Sequence, residues 1–295
     1  SLSPLFEEHS KENKNKIPIL MAPSDIGVRR NFGRNGARFA PKSIIHQFKK
    51  LNNHLEDVFF KINVVSSMKL ERNDFLSAQI EESKSISKQI KNKETKKCIH
   101  IGGGHDHVYP LLKALETRDD IDHIICLNID AHCDTRVDTS PHSGTPFRNF
   151  DENKTKEFTI IQFGIQEFAN SKSTRTALKN SKEYHISIQE AASKTRQFTQ
   201  DFDLSDYFKD VNFRRTSFLF SLDLDALDGG FMAGVSAVNP MGIAPHFINK
   251  LLKQIKKIPF ETTTLGLYEL NPVYDGPSNL GAKYCAQLMF DFSKK

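Results

Sequence analysis

Three short segments concentrate side chains of the kind that hold metal ions. The first is Asn128-Ile-Asp-Ala-His-Cys-Asp134, directly after the apolar run Ile124–Leu127. In extended backbone alternate residues share a face. Asp130, His132 and Asp134 can then point one way, with Ala131 and Cys133 opposite. The second is Ser221-Leu-Asp-Leu-Asp225, after Ser217–Phe220. The same alternation sets Asp223 and Asp225 together, and two adjacent carboxylates repel unless a cation or proton holds them. The third is Gly102-Gly-Gly-His-Asp106, after Cys98–Ile101. Its glycines permit a tight turn and close backbone approach, which brings His105 to the same region.

Each segment alone has an ordinary structural reading: a histidine after a glycine turn packs, and a lone Asp-x-Asp caps a helix or faces water. Jointly they place two histidines and four aspartates at three strand ends. Four carboxylates balance two divalent cations. A carboxylate-rich set with imidazole favours hard or borderline ions such as Mn2+ over thiolate-bound zinc. Cys133, on the opposite face, is read as packing.

Something must position these ends. Short apolar runs recur at Ile17–Met21, Asp57–Val65, Cys98–Ile101, Ile124–Ile129, Phe158–Phe163, Tyr184–Ile188, Ser217–Leu222 and Thr264–Leu270. Their length and their Ile, Val and Phe content predict strands. Between them, Phe75, Leu76, Ile80, Ile86 and Ile90 fall within an arc of about 140° at about 100° per residue, one face of an amphipathic helix. Helices are also expected after Pro110, Pro245 and Pro277. Strands alternating with helices imply a parallel sheet covered on both faces, whose ligands bind beyond the carboxyl ends of the strands. With no repeat and no linker, residues 1–295 are read as one domain, with polar Ser1–Lys16 frayed.

Composition narrows the function. The 295 residues are 38% hydrophobic, enough for a substantial core, and the formal net charge is only +5. The densest basic stretch, Lys91–Lys97, is interrupted by Glu94 and reads as a solvated helix end. The pI of about 8.9 alone suggests nucleic acid, but no basic-aromatic interleaving supports it. A mildly basic surface favours acidic small substrates. Cys98, Cys126, Cys133 and Cys285 show no CxxC spacing, and unpaired thiols suit a reducing cytoplasm. No run approaches a membrane span and no signal peptide is read. A homo-oligomer is left open.

The segments GGGHD, DAHCD and SLDLDALD resemble, in order, the metal motifs of the arginase, agmatinase and formimidoylglutamase (ureohydrolase) family. The resemblance implies a three-layer α/β/α sandwich on an eight-stranded parallel sheet, in agreement with the strand count above. It implies that His105, Asp130, Asp134 and Asp223 bind one Mn2+. Asp130, His132, Asp223 and Asp225 would bind the other, with Asp130 and Asp223 bridging. Such a pair activates water for attack on an sp2 carbon bonded to nitrogen, and Asp134 would help carry the proton. A relative that binds without catalysing is the competing expectation, disfavoured because all six ligands are present.

Other segments are most similar to the formimidoylglutamase branch: Gly27-Val-Arg-Arg-Asn-Phe-Gly-Arg-Asn-Gly-Ala-Arg38, Ser143-Gly-Thr-Pro-Phe-Arg148, Gly164-Ile-Gln166, Gly234-Val-Ser-Ala237 and Glu269-Leu-Asn-Pro272. This likeness spans roughly residues 17 to 292. It implies hydrolysis of N-formimidoyl-L-glutamate to L-glutamate and formamide. The alternative is an agmatinase-like or other guanidino-acid ureohydrolase. The expected catalytic residues are Asp134 and Glu269, the latter pairing with the amidinium. Arg29, Arg30, Ser143 and Arg148 are the expected substrate contacts, with Arg34 and Arg38 as further donors, because guanidinium forks match carboxylates. The same arginines could instead close salt bridges in a structural loop. Ser143 stands where arginases carry histidine and His142 lies one residue earlier. An extended segment would aim Ser143 at substrate, whereas a turn would let His142 swing inward. Gly229, where many relatives have Pro, and Asn239 depart from the family pattern.

Overall fold

The computed structural model describes residues 1–6, 16–55, 58–66 and 74–294. Eight parallel strands form one sheet: β1 (Lys16–Ala22), β2 (Phe59–Val64), β3 (Lys97–Gly102), β4 (His123–Ile129), β5 (Glu157–Ile165), β6 (Lys182–Ser187), β7 (Thr216–Asp223) and β8 (Thr262–Tyr268). Each matches a run expected to be a strand; Asp57 alone of those runs lies outside the described residues. The spatial order is β2-β1-β3-β8-β7-β4-β5-β6.

The strands are buried on both faces, so alternation sorts their side chains into two cores. Ile99, Ile101, Ile125, Leu127, Phe218, Phe220, Leu265 and Leu267 face one way. They are covered by α2 (Ala40–Lys50), α7 (Ile188–Lys194), α8 (Pro245–Ile255) and α9 (Leu280–Ser293), which bury Phe48, Ala191, Phe247, Leu251 and Met289 there. Cys98, Ile124, Cys126, Ile160 and Leu219 face the other way, against α3 (Phe75–Ile90), α4 (Val108–Leu115) and α5 (Pro146–Asn153). This is the three-layer α/β/α sandwich. The short helices α1 (Ile26–Arg30) and α6 (Lys172–Arg175) lie in loops after β1 and β5. Among the described residues no helix is long and apolar enough to cross a membrane.

Three expectations need correction. The first residues are not all frayed: Ser3–Phe6 form a 3-10 turn, Leu2 is buried, and the Phe6 ring stacks on Phe60 at 5.3 Å. Residues 7–15 of that segment lie outside the described ones. Apolar surface, scarce but well spaced, anchors the start. Next, α3 forms as expected and buries Phe75, Ile86 and Ile90 of the expected face, but it is rotated so that the other two point outward. Leu76 and Ile80 are exposed, whereas Gln79 and Glu82 are buried. Their polar ends have partners on the glycine loop: Gln79 Nε2 donates to Asp106 O at 3.2 Å, and Glu82 accepts from His107 Nδ1 at 2.8 Å. These contacts with the glycine loop draw Gln79 and Glu82 inward in place of Leu76 and Ile80. Lastly, Lys97 is no solvated end; it opens β3, and its ammonium donates to the carbonyls of Phe292 and Lys294.

The two departures from the family pattern touch each other. Gly229 N donates to Asn239 O at 2.6 Å, and a Cβ at 229 would lie 2.6 Å from Val238 Cγ1. The Asn239 side chain accepts from Gln166 Nε2 at 2.7 Å and from Met241 N at 3.1 Å.

Candidate metal centre

The ligand-bearing strands are neighbours. In the order β3-β8-β7-β4, the strand ends and the loops after them deliver His105, Glu269, Asp223 with Asp225, and Asp130 with His132 and Asp134. The convergence arises differently from strand alternation. β4 ends at Ile129, and the next residues turn, with Asp134 at φ 53°. β7 ends at Asp223, and Leu224–Ala226 form a 3-10 turn that the Asp223 carboxylate caps by accepting Asp225 N at 2.9 Å. His105 likewise starts a 3-10 turn after Gly104. The glycine loop sits tight on its neighbour: a Cβ on Gly103 would lie 2.0 Å from Ser24 O.

Two overlapping sets result. His105, Asp130, Asp134 and Asp223 form one, and Asp130, His132 and Asp225 the other, with candidate ligand atoms within 4.8 Å of one another in each. His105 Nδ1 faces Asp134 Oδ2 at 2.8 Å, Asp130 Oδ2 at 3.1 Å and Asp223 Oδ2 at 3.2 Å. His132 Nδ1 faces Asp225 Oδ2 at 3.1 Å and Asp130 Oδ1 at 3.5 Å. Asp130 thus directs one oxygen to each set. Asp223, implied as a second bridge, falls in the first set only.

The donor set fits divalent cations. One imidazole nitrogen carries at most one proton, yet three carboxylates aim at His105 Nδ1. Burial opposes charge on that ring, and the carboxylates of Asp130, Asp134 and Asp223 facing it overcome that, raising its pKa well above the ordinary range. The Asp223 and Asp130 carboxyls are raised by burial and by the negative charge of their neighbours. Asp225 Oδ1 is buried without a hydrogen-bond partner. Excess buried acceptors of this kind are what cations relieve. The rest of the environment is fixed: His105 Nε2 meets Ser221 Oγ at 3.0 Å, and the ring stacks on Tyr268 at 4.9 Å.

A cavity of about 250 Å³ opens on these groups, lined also by Val28, Asn31, Phe32, Gly33, Arg136, Ser143, Ser236, Ala237 and Glu269. Glu269 has φ 65°, and its carboxylate accepts the backbone N–H of His105 at 2.9 Å. Burial, with the charges of Asp225 and Asp106, pushes it up to about 8. Ser143 faces the cavity, and its Oγ accepts from Asn31 Nδ2 at 3.1 Å. His142 does not line the cavity; Nε2 meets Asp138 Oδ2 at 2.7 Å and Nδ1 accepts Gly144 N at 3.0 Å.

The arginines expected at the substrate are elsewhere. Arg29 and Arg38 pair with buried Asp25, at 3.5 and 3.3 Å. Arg30 is exposed, donates to Pro141 O and covers the Phe75 ring. Arg34 lies over Tyr274, and Arg148 binds Glu152 and Asp138 O. Each finds a local acceptor or ring, and none lines the cavity. The arginine that does is Arg136, which the motif reading passed over although it stands two residues after Asp134. Asn31, inside the GVRRN segment, also lines the cavity; a neutral amide beside two arginines carries no local signal for that role.

The profile of the Arginase family matches residues 15–293. A formimidoylglutamase from Staphylococcus aureus is 30% identical, covering 98% of this chain and 90% of its own length. A Trypanosoma cruzi formiminoglutamase structure with Mn2+ superposes with TM-score 0.79 at 22% identity, covering 99% of this chain and 96% of that one. The formimidoylglutamase structure from Bacillus subtilis gives TM-score 0.81 at 18% identity, covering 100% and 91%. Fold, ligand geometry and family profile agree: this chain belongs to the arginase family.

Proposed function

We propose that this protein is a dinuclear manganese hydrolase of linear amidines that converts N-formimidoyl-L-glutamate and water to L-glutamate and formamide. The observation that carries the reading is the convergence of both ligand sets and Glu269 on one small cavity. The Staphylococcus aureus relative, a formimidoylglutamase, and the Mn2+ present with the Trypanosoma cruzi neighbour support the substrate and the metal. His105, Asp130, Asp134 and Asp223 would hold one ion, and Asp130, His132 and Asp225 the other, with Asp223 as a second bridge. Bound there, two Mn2+ ions supply Lewis acidity and a water acidic enough to act near neutral pH.

The protein's own residues do the rest. Glu269, anchored by the His105 N–H, accepts from the amidinium and orients its carbon toward the ligand sets. Asp134 lines the cavity beside His105 and carries the proton toward the leaving nitrogen. Ser143, held by Asn31, offers a hydroxyl to the substrate. The chain is read as one hydrolase domain, residues 1–295, on the strength of its single sheet and a cavity drawn from residues 28 to 269. Four free, buried cysteines support a reducing cytoplasm as its compartment. The substrate makes histidine degradation the fitting pathway.

The test is a parallel assay of the Mn-reconstituted protein. Glutamate release is followed from formimidoylglutamate, and urea release from arginine, agmatine and guanidinobutyrate. Preference for the formimidoyl substrate is expected. Comparable urea production from a guanidino substrate would overturn the assignment in favour of a guanidino ureohydrolase.

A further inference from the structure

Among the described residues, α3 supplies none that lines the cavity, yet it carries a wholly buried carboxylate, Glu82. A buried charge costs free energy unless its partners compensate it. The partners of Glu82 lead toward His105. His107 Nδ1 donates to both carboxylate oxygens, at 2.8 and 2.9 Å, and His107 Nε2 donates to Ser24 O at 3.1 Å. His107 closes the 3-10 turn that His105 opens. One turn earlier on the helix, Gln79 Nε2 donates to Asp106 O at 3.2 Å. α3 thus grips the peptide after His105 and the ring beyond it.

A second route runs through side chains. His100 Nε2 stands 3.9 Å from Glu82 Oε1, and His100 Nδ1 meets the Tyr268 hydroxyl at 3.0 Å. The Tyr268 ring stacks on the His105 ring at 4.9 Å, 29° from parallel. It also presses on the glycine loop, where a Cβ on Gly102 would lie 2.8 Å from Tyr268 Cδ1. One carboxylate therefore reaches the backbone and the ring of the same histidine by separate paths. His105 belongs to one ligand set only; the other, Asp130, His132 and Asp225, takes nothing from the loop after β3.

We propose that Glu82 is a positioning residue for the metal centre. From outside the cavity it keeps His105 aimed at the first ligand set, so the docking of α3 sets the affinity of one of the two ions. Groups that orient a metal ligand from behind commonly govern metal affinity in this way. The inference rests on the dinuclear centre proposed above and assigns one of its ions to the control of α3.

The experiment reads metal retention rather than turnover. Mn2+ is stripped stepwise from the loaded protein with a chelator of known affinity, and the retained ions are counted by elemental analysis. Wild type is compared with Glu82→Ala, Glu82→Gln, Gln79→Leu and Leu251→Ala, and Tm is recorded for each. Leu251 is buried on α8, in the opposite layer, and its truncation destabilises the fold without touching the centre. Glu82→Ala should hold one ion about 10- to 100-fold more weakly and the other as wild type does. Glu82→Gln keeps an oxygen that accepts from His107 and should lose less. Gln79→Leu should show a smaller loss at the same ion. Leu251→Ala should lower Tm with both ions held as in wild type. If Glu82→Ala does not fold, Glu82→Gln and Gln79→Leu carry the test. Wild-type retention in the α3 variants would overturn the proposal. Equal loosening of both ions, or a matching loss in Leu251→Ala, would overturn it too, because the effect would then be general destabilisation. Fewer than two ions in the loaded wild type would instead bring down the dinuclear reading itself.

Discussion

Oε1 of Glu269 accepts the backbone N–H of His105 at 2.9 Å, across the gap between the ends of β8 and β3. The acid proposed to face the amidinium is thus fixed by the same turn that presents a candidate metal ligand. Glu269→Gln keeps an oxygen able to accept that N–H and removes the charge. We expect two metals still bound per chain, and kcat/KM for formimidoylglutamate lower by about 10- to 100-fold, since a hydrogen bond to a charged group is lost. Steady-state kinetics with elemental analysis checks this. Unaltered kinetics would remove Glu269 from the substrate site.

Metal stoichiometry separates the aspartates. Asp130 directs an oxygen to each ligand set, whereas Asp225 serves one. Asp130→Asn should therefore release both metals and abolish activity, and so should Asp223→Asn if Asp223 bridges as proposed. Asp225→Asn should chiefly weaken one. Elemental analysis after gel filtration reads the result. Full two-metal occupancy in Asp130→Asn would contradict the shared-ligand geometry.

Acidity should compete with metal. The carboxyls of Asp130 and Asp223 are raised by burial and neighbouring charge, and His105 is raised by the carboxylates around it. A raised pKa means the site still holds protons at a pH where ordinary carboxylates have lost them, and Mn2+ must displace them. Mn2+ affinity should fall steeply as pH is lowered, with net proton release on binding. Titration in buffers of different ionisation enthalpy counts those protons; an affinity flat between about pH 6 and 8 would refute the account.

His142 offers a tempting proton shuttle, but its two ring nitrogens are engaged by Asp138 and Gly144 N, while Ser143 faces the cavity. His142→Ala should keep most of kcat, and Ser143→Ala should raise KM or lower kcat/KM. A general acid or base contributes about 10²–10⁴-fold. A loss that large in His142→Ala, with metals retained, would return the shuttle role to it.

A buried pair away from the cavity, Glu82 and His107, is expected to contribute stability that is lost at alkaline pH. Burial alone would lower the His107 pKa, but Glu82 and Asp106 overcome it and carry it to about 10. The ordinary histidine value is near 6.5. The folded value is the higher one, so the pair's stabilisation is full below the unfolded pKa and disappears as pH rises through about 10. Thermal melts of metal-loaded protein should show Tm falling across this window, and Glu82→Gln should flatten that dependence while lowering Tm at neutral pH. An identical slope in the variant would exclude the pair as its source.

All eight strands and the donor types of the centre could be read from the amino-acid order, because short apolar runs rich in Ile, Val and Phe and the Asp-x-Asp, Asp-x-His-x-Asp and Gly-Gly-Gly-His patterns are local. The mechanism of convergence could not. Asp134 reaches its place through a left-handed residue and Asp225 through a 3-10 turn, where alternation would have served equally well on paper. Which arginine meets the cavity was also beyond local pattern. Six arginines lie in or beside the quoted motifs, and Asp25, Phe75, Tyr274 and Glu152 claim four of the five outside the DAHCD loop, with Asp25 taking the fifth as well. Local residue order specifies which groups can bind metal and which strands carry them. The tertiary structure decided that β3, β8, β7 and β4 lie side by side, because only long-range pairing of strands far apart in the chain can set that order. The same folding consumed five guanidinium groups in local partners and left Arg136 on the cavity wall.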